Sequence, residues 1–382
     1  MRPLRVGIIG AGFIGQQHVE AIRRIPGTEI VAIAENNEQI AKNRANQLGI
    51  PRCYSNYLEM LKDPEIDVVH NCTPNNMHFT VNCEIIRSKK HVYSEKPLSI
   101  STNDSKELVD LVENNKIANG VNFNYRQSSM VQEMHQRILS GSTGRIFMVY
   151  GHYLQDWLLF DTDYDWRIDS EIGGPSRAVA DIGSHWFDLV QFVTGQKIKS
   201  IFANLMTVHP FRRHLAKKEG TFSSHSYIVS QNLPVTTEDA AFILIRLEDG
   251  TMGSLIVSQV SAGKKNELSL SVCGSEYSMD WRQEDPDKLY IGNRNRPNEI
   301  IYSSFDALTG DAKRYASLPS GHPVAWHDAL RNGINEFYIA IRNDTYTNSN
   351  QNYATFRSGH QIMQLVEGCI QSHRSNIWVE IG

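Results

Sequence analysis

Apolar and polar positions follow two different patterns along the chain. In the first third, short apolar runs alternate with stretches whose apolar residues recur every three or four positions, as on the inner face of a helix. This alternation of strands and helices predicts a mostly parallel, doubly wound sheet over residues 1–122. The helices that follow the first one are predicted over 37–48, 55–62, 77–88 and 101–115.

From residue 123 onward the pattern changes. A linker and a helix lead into several strand-like runs, and an Asp-Gly turn in "LEDGTMG" joins two of them as a hairpin. Strands joined by hairpins predict an antiparallel sheet, and two late helices over about 325–343 and 351–373 precede the short run "IWVEI". We therefore expect a second, α+β domain over 123–382. Its strands are predicted over 145–154, 200–208, 240–247, 252–260, 268–274 and 288–292.

Length, charge and cysteine content narrow the class of protein. The 382 residues exceed what one compact core usually holds, which supports two domains. A net charge of −4 without a long basic run argues against a general nucleic-acid binder. Five cysteines without a CxxC pair are typical of reduced thiols, and no stretch reaches the roughly 18 apolar residues that span a bilayer. We expect a full-length, soluble cytoplasmic protein that binds neither nucleic acid nor membrane.

The segment "LRVGIIGAGFIG" joins a short apolar strand to a helix through a glycine turn. Its G-x-G-x-x-G spacing suits a tight turn, close approach of a pyrophosphate and close packing of helix on strand. Glu35 ends the next strand, 20 residues beyond Gly15, where a carboxylate binds ribose hydroxyls and repels a 2′-phosphate. The alternative is an exposed glutamate at a strand end. The sequence predicts NAD rather than NADP, bound by Gly10, Gly12, Phe13, Ile14, Gly15 and Glu35.

Two further segments lie at the carboxyl ends of predicted strands, where doubly wound sheets bind their ligands. They are "TPNNMH" (73–78) and "EKP" (95–97). Lys96 is either a plain surface charge or an ammonium that hydrogen-bonds a substrate hydroxyl and stabilises a developing alkoxide. Glu95 either orients Lys96 or caps a loop. The cofactor-binding residues predicted here are Thr73, Pro74, Asn75, His78, Glu95 and Lys96.

The stretch "AVADIGSHWFDLVQFVTG" (178–195) places Asp181, His185 and Asp188 at i, i+4 and i+7. In a helix, this spacing puts all three on one face. A metal site, a buried ion pair and a proton-transfer site are three interpretations of this face. No other cluster of ligands accompanies the pair, so we expect no metal. A structural role is the better interpretation for Asp188.

These motifs together, G-x-G-x-x-G, "TPN…H", "EKP" and "DIGSHWFD" in that order, resemble the family of glucose–fructose oxidoreductase, inositol dehydrogenase and rhizopine-catabolism proteins. The resemblance implies an N-terminal Rossmann domain and a C-terminal α+β domain with a large open, mainly antiparallel sheet. It also implies that Lys96, Asp181 and His185 form the catalytic group. Family members commonly form homodimers or homotetramers through that sheet, so we expect the same of this chain.

Oxidation of an alcohol needs a base for the hydroxyl proton and a group that stabilises the alkoxide. Histidine suits the base because its ordinary pKa is about 6.5. We expect His185 to be the acid/base and Lys96 to bind and polarise the reacting oxygen, although the two residues could exchange these roles. Asp181 would hold a neighbouring hydroxyl or tune the other two.

The run "GHYLQDWLLFDTDYDWR" is rich in aromatic and hydrogen-bonding side chains, which suit the C–H face and the hydroxyls of a sugar. The alternative is that alternate strand residues enter the core. The run resembles sugar dehydrogenases of the levoglucosan dehydrogenase type, which suggests a ring secondary alcohol. His322 and His327, near the start of a late helix, are further candidates, with loop or helix-cap roles as the alternative. Tyr125 and Arg126, where the two predicted domains join, are also candidates, with a hinge role as the alternative. The substrate candidates are Tyr125, Arg126, Tyr153, Gln155, Asp156, Trp157, Trp166, Arg167, His322, Trp326 and His327, beside the catalytic three.

The leading hypothesis is an NAD-dependent dehydrogenase of a sugar, glycoside or inositol. One alternative is an NAD-dependent glycosidase that oxidises its sugar transiently and eliminates the aglycone. A second is a non-catalytic NAD-binding regulator, which the intact catalytic group argues against. The polar segment 209–239 is predicted to be a strand-poor excursion at the pocket rim or a subunit interface.

Overall fold

The first apolar runs form six parallel strands in the computed structural model, which describes residues 2–215 and 229–382. The strands are β1 (Leu4–Ile9), β2 (Thr28–Ala34), β3 (Arg52–Tyr54), β4 (Val68–Asn71), β5 (His91–Ser94) and β6 (Asn119–Val121). Their order is β3-β2-β1-β4-β5-β6, so the chain winds outward from β1 in both directions. The predicted doubly wound parallel sheet is confirmed.

Five helices connect these strands, and their ends carry local signals. Asn37 caps α2 by accepting hydrogen bonds from the Gln39 and Ile40 backbone N–H groups, and Gly49 ends it in the left-handed region. Ser101 caps α5 in the same way, through the N–H of Asp104. Because these signals lie within a few residues of each end, the sequence placed the boundaries closely. The helices are α1 (Phe13–Arg23), α2 (Glu38–Leu48), α3 (Tyr57–Leu61), α4 (Asn75–Arg87) and α5 (Thr102–Asn115).

The described chain forms two compact units. The first contains residues up to Ser128 together with Ala325–Gln361, and the second contains Ser129–Val324 and Ile362–Gly382. The sequence pattern instead grouped everything after residue 122 together. The difference arises from α9 (Trp326–Arg342), whose apolar face buries Leu330, Ile334, Phe337 and Tyr338 in the core of the first unit. An amphipathic stripe predicts that a helix packs, but not on which core.

A nine-stranded sheet dominates the second unit. Its strands are β7 (Ile146–Leu154), β8 (Ile198–Met206), β11 (Ala240–Leu247), β12 (Met252–Ser258), β13 (Glu267–Gly274), β14 (Ser278–Arg282), β15 (Lys288–Gly292), β16 (Glu299–Tyr302) and β17 (Val379–Glu380). The order is β16-β15-β14-β13-β7-β12-β11-β8-β17. The β7–β12 pair is parallel and the other pairs are antiparallel, which confirms the expected large, mainly antiparallel sheet.

One face of this sheet packs on helices of its own unit. Trp186, fully buried, donates its indole N–H to the backbone carbonyl of Ser269 in β13. The same contact leaves room only for glycine at position 151, since a Cβ there would lie 2.1 Å from that carbonyl oxygen. The remaining helices are α6 (Ser129–Leu139), α7 (Ser170–Gly173), α8 (Ser184–Thr194) and α10 (Phe356–Ser375), the last of which contributes residues to both units.

The segment 209–239 contains β9 (Phe211–Leu215) and β10 (Val229–Pro234), which pair antiparallel in a separate two-stranded sheet. The prediction that this segment is poor in strands is therefore wrong, because its polar side chains hid two short paired strands. Residues 216–228 lie outside the described part. No helix among the described residues is long and apolar enough to cross a membrane.

Candidate functional site

The three glycines of the turn between β1 and α1 have different surroundings. Gly10 lies in the left-handed region with φ +84°, and a Cβ there would be 2.7 Å from the carbonyl oxygen of Cys72. At Gly15, a Cβ would be 2.1 Å from the carbonyl oxygen of Gly10. A Cβ at Gly12 would meet no heavy atom within 4 Å, so this position borders open space. Two glycines thus pack the turn, and the third leaves the backbone open to a ligand.

The start of α1 fits a dinucleotide pyrophosphate. No side chain caps this helix end and no acidic residue lies in its first turn, so backbone N–H groups and the positive end of the helix dipole face the open side at Gly12. Phe13 is 65% exposed at the first helical position, and Ile14 packs partly on the core of the unit. Glu35 follows β2, and its Oε1 accepts the Ala11 N–H at 2.5 Å. A carboxylate fixed beside the turn suits an unphosphorylated ribose.

His78 joins the two loops predicted at the carboxyl ends of β4 and β5. Its Nδ1 lies 2.6 Å from the carbonyl oxygen of Pro97 and its Nε2 lies 2.8 Å from that of Thr73. Burial lowers the pKa of His78, and the two backbone carbonyls partly offset that effect. Asn75 is buried in the first turn of α4, directly after Pro74. The segment 73–78 therefore braces the loop that carries Lys96.

Lys96 follows β5 directly and is half-buried, and its peptide bond to Pro97 is cis. The Lys96 backbone N–H donates to Glu95 Oε2 at 3.1 Å. Burial alone would raise the pKa of Glu95, but the hydrogen bond and charge of His18, the charge of Lys96 and a hydrogen bond from Asn122 hold it at about 2. Glu95 is therefore an ionised carboxylate within electrostatic range of the Lys96 ammonium. This arrangement supports the interpretation that Glu95 orients Lys96.

In the second unit, Asp181 and His185 lie on a helix with two kinds of turn. Val179–Gly183 forms a π-helical turn, and α8 begins at Ser184. The expectation of one regular helix through Asp181, His185 and Asp188 is therefore wrong in its first turn. A π-helical turn closes i→i+5 hydrogen bonds and often marks a functional position. Asp188 is buried in α8.

The surroundings of Asp181 come from distant parts of the sequence. Its Oδ2 accepts from Gln259 Nε2 at 3.0 Å, and its Oδ1 lies 3.4 Å from Arg167 Nε. The turn itself is held by Glu238, whose Oε1 accepts the N–H groups of Arg177 at 3.1 Å and Val179 at 2.9 Å. The orientation of the Asp181 carboxylate is thus fixed from two sides.

His185 and the predicted sugar-binding residues at the end of β7 and just after it lie in the same unit. The ring of Tyr153 lies 6.2 Å from that of His185, and the Tyr153 hydroxyl donates to Asn266 Oδ1 at 2.6 Å. Gln155 Nε2 donates to the same oxygen at 2.9 Å, and Trp157 Nε1 donates to Gln155 Oε1 at 2.8 Å. These polar groups bind one another, so the aromatic rings are held in defined orientations.

The neighbouring loop holds the other candidates of this run. The Arg167 guanidinium stacks 4.3 Å from the centre of the Trp166 ring, and its Nη1 donates to Asp165 Oδ1 at 3.0 Å. Asp156 pairs with Lys265 at 2.7 Å near the surface, and this ion pair lowers the pKa of Asp156. Arg167 thus reaches Asp181, whereas Asp156 is committed to a surface pair.

The remaining substrate candidates are Tyr125, Arg126, His322, Trp326 and His327. Tyr125 and Arg126 are buried in a 3₁₀ helix (Asn124–Gln127) of the first unit. His327 is exposed at the start of α9, where its Nε2 lies 2.7 Å from Gln17 Oε1, and Trp326 packs against its ring. His322 is exposed beside the carbonyl oxygen of Pro319. His322 thus belongs to the second unit, and the other four candidates belong to the first.

Sequence reasoning missed several residues of these surroundings, among them Gln259, Asn266, His18 and His70. Gln259 and Asn266 belong to no sequence motif, because only folding of the sheet brings them next to Asp181 and Tyr153. His18 and His70 pair beside Glu95 at 2.8 Å between their Nδ1 atoms. His18 had a signal, since it is a polar residue on the apolar face of α1 next to Val19. Among residues 2–215 and 229–382, no group of three or more His, Cys, Asp or Glu side chains is placed to hold a metal ion.

Family models match both parts of the chain. The model described as "Oxidoreductase family, NAD-binding Rossmann fold" matches residues 4–123, and the model of the "GFO/IDH/MocA C-terminal domain" matches residues 131–280.

Individual relatives match over most or all of the chain. Levoglucosan dehydrogenase of Pseudarthrobacter phenanthrenivorans is 27% identical over 401 aligned positions, which cover 100% of this chain and 99% of the relative. Glucose-6-phosphate 3-dehydrogenase of Bacillus subtilis is 24% identical, with 89% of each chain covered. A solved structure of levoglucosan dehydrogenase in complex with NADH and levoglucosan superposes with a TM-score of 0.88 at 25% identity, covering 100% of both chains.

Proposed function

The chain belongs to the GFO/IDH/MocA oxidoreductase family and is an NAD-dependent sugar or polyol dehydrogenase, and we propose that it oxidises a ring secondary alcohol of a sugar, glycoside or inositol. The observation that carries the proposal is the setting of Asp181. Its carboxylate is fixed by Gln259 and Arg167, one turn before a histidine that lies beside Tyr153. An oriented carboxylate and a nearby imidazole suit a substrate that presents adjacent hydroxyl groups.

Each residue of the catalytic group has a separate proposed role. Gly12 and the start of α1 would hold NAD, which would supply the hydride acceptor. The Lys96 ammonium binds the reacting oxygen and stabilises its developing negative charge. His185 takes the hydroxyl proton, and Asp181 accepts a hydrogen bond from the neighbouring hydroxyl.

The substrate class follows from the aromatic and hydrogen-bonding groups of the second unit. Trp157 and Trp166 are large faces of fixed orientation, because Gln155 holds the first and Arg167 stacks on the second. Such faces suit the C–H side of a sugar ring. The names of the relatives, which act on levoglucosan and glucose 6-phosphate, support a carbohydrate. Because the cysteines form no disulfide, the reducing cytoplasm is the location we propose.

The first measurement is NADH absorbance from NAD and a panel of levoglucosan, methyl glucosides, free hexoses and inositols. We expect a signal from one of these groups. We also expect NADP to react at least about 10-fold more slowly, because Glu35 repels a 2′-phosphate and binds the unphosphorylated ribose. NADH binding without turnover on any of these alcohols would contradict the proposal. Release of p-nitrophenol from p-nitrophenyl glycosides without net NADH would favour the glycosidase.

The outward face of the nine-stranded sheet supports a second proposal, a homodimer or homotetramer. Alternate residues of three adjacent strands are exposed and apolar, and the register sets Phe242 opposite Ile256 and Met148 opposite Met252. Single chains rarely expose a continuous apolar surface of this kind. A second copy with the same face would bury it.

We expect Leu244→Asp to lower the molar mass of the protein in solution. A buried, unpaired carboxylate lowers the association constant of an apolar interface by about 10-fold or more, which is about 1.4 kcal/mol. Leu244 is 44% exposed on β11 of this face. The measurement is light scattering after size exclusion at several concentrations. Leu139→Asp is the matched control, since Leu139 is 70% exposed at the end of α6. An unchanged mass of the Leu244→Asp protein would exclude this face as the interface.

A further inference from the structure

Five polar side chains lie buried together in the first unit, among the ends of β4, β5 and β6 and against α1 and α9. His18 Nε2 lies 2.9 Å from Glu95 Oε1, and Asn122 Nδ2 donates to the same oxygen at 2.6 Å. His18 Nδ1 lies 2.8 Å from His70 Nδ1, and His70 Nε2 lies 2.7 Å from the hydroxyl of Tyr338. None of the five is more than 6% exposed. We call this group the His–Glu cluster.

Every ring nitrogen and both carboxylate oxygens of the His–Glu cluster have a hydrogen-bond partner. An ionised carboxylate only accepts, so His18 Nε2 carries a proton toward Glu95. Burial, and then the proximity of His18, lower the pKa of His70 well below its ordinary value, so His70 is neutral and carries one N–H. Either direction of donation along His18, His70 and Tyr338 leaves every ring nitrogen paired. A fully paired buried network fixes one position for each of its members.

The second carboxylate oxygen of Glu95 contacts a group outside the cluster. Glu95 Oε1 is held by His18 and Asn122, whereas Glu95 Oε2 accepts the backbone N–H of Lys96 at 3.1 Å. A buried, hydrogen-bonded carboxylate is weak evidence for stability, because well-packed apolar side chains of the same volume often serve a core equally well. The buried charge of Glu95 therefore points to a role other than stability. Outside the cluster, Glu95 contacts Lys96, the residue with the proposed alkoxide-binding role.

We propose that His18 and Glu95 are positioning residues that fix the turn carrying Lys96, so that its ammonium meets the reacting oxygen. This inference rests on the role proposed for Lys96. His18 lies in the helix that begins at the glycine turn, and Glu95 ends β5, so the pair ties the cofactor-binding helix to the lysine-bearing turn. Neither side chain touches substrate in this proposal; both act through Lys96.

A double-mutant cycle between Glu95 and Lys96 tests this inference. With levoglucosan and myo-inositol as the alcohols, we expect Glu95→Gln to lower kcat by about 10–100-fold, because a displacement of roughly 1 Å at a catalytic group costs this much. In the Lys96→Ala background, the same change should alter kcat by less than about 2-fold. The dissociation constant of NADH, measured by fluorescence, should stay the same in Glu95→Gln. Glu95→Asp, which keeps the charge, should restore part of kcat.

Val19→Ala is the matched control for stability, since Val19 is fully buried next to His18 on α1 but is not a member of the His–Glu cluster. It should lower Tm and keep kcat. Equal losses from Glu95→Gln in both backgrounds, or wild-type kcat in Glu95→Gln, would overturn the inference. If Glu95→Gln melts below the assay temperature, His18→Gln takes its place in the same cycle. A fully active Lys96→Ala protein would instead refute the proposed function itself.

Discussion

Replacement of Lys96 with alanine is expected to lower kcat by about 10²–10⁴-fold while NADH still binds. The ammonium is the proposed partner of the developing alkoxide, and a truncated side chain leaves that charge without a donor. NADH binding should survive because the glycine turn, the start of α1 and Glu35 remain intact. Steady-state NADH formation gives kcat, and quenching of protein fluorescence gives the dissociation constant of NADH.

Lys106→Ala is the matched control for this prediction. Lys106 lies on α5 of the same unit, is more than half exposed and pairs with Asp110 on the surface, so its loss should leave kcat and Tm nearly unchanged. Near-wild-type turnover in Lys96→Ala would remove the lysine from the mechanism. Loss of NADH binding together with turnover would assign Lys96 to the cofactor site instead.

Those features that depend on residues near one another in the sequence could be predicted. The glycine turn is one, since Gly10 needs its positive φ and Gly15 its closeness to Gly10 whatever the rest of the chain does. The β11–β12 hairpin is another, because the Asp-Gly turn between Leu247 and Met252 and the alternation on either side are both local. Short-range rules therefore gave the sheet classes and most helix boundaries.

Features that depend on distant residues could not be predicted. Asp181 is oriented by Gln259, 78 positions away, and Tyr153 is held by Asn266, 113 positions away. No spacing rule connects such pairs, because the sheet brings them together only after it folds. For the same reason, the apolar stripe of α9 was visible while its place in the core of the first unit was not.

The π-helical turn at Val179–Gly183 shows a third limit. The motif D-x-G-x-H has the spacing of a regular helix, and nothing in its composition signals a wider turn. Three N–H or hydroxyl groups, from Ser176, Arg177 and Val179, bind the single Oε1 of Glu238. This anchor at the start of the turn comes from a residue 57 positions after Asp181, so no local pattern could indicate it.

Replacement of His185 with glutamine is expected to lower kcat/KM for alcohol oxidation by about 10²–10⁴-fold, with a residual rate that rises with pH. Without an internal base, the hydroxyl proton must leave to hydroxide from solvent, so the residual rate should follow the hydroxide concentration. The wild-type rate should instead level off once its base is unprotonated. The measurement is kcat/KM against pH, with the alcohol of the panel that gives the largest NADH signal.

His152→Gln is the matched control, because His152 lies on β7 of the same unit with its Nε2 2.9 Å from Glu267 Oε1, and the alternation of strand side chains puts it on the opposite face from Tyr153, which lies near His185. It should keep both the rate and the pH profile. The slope of the residual kcat/KM against pH then distinguishes the roles of His185 and Lys96. A hydroxide-dependent rate in His185→Gln makes the imidazole the base and leaves the oxygen to Lys96. The same slope in Lys96→Ala, with a wild-type profile in His185→Gln, would exchange the two roles.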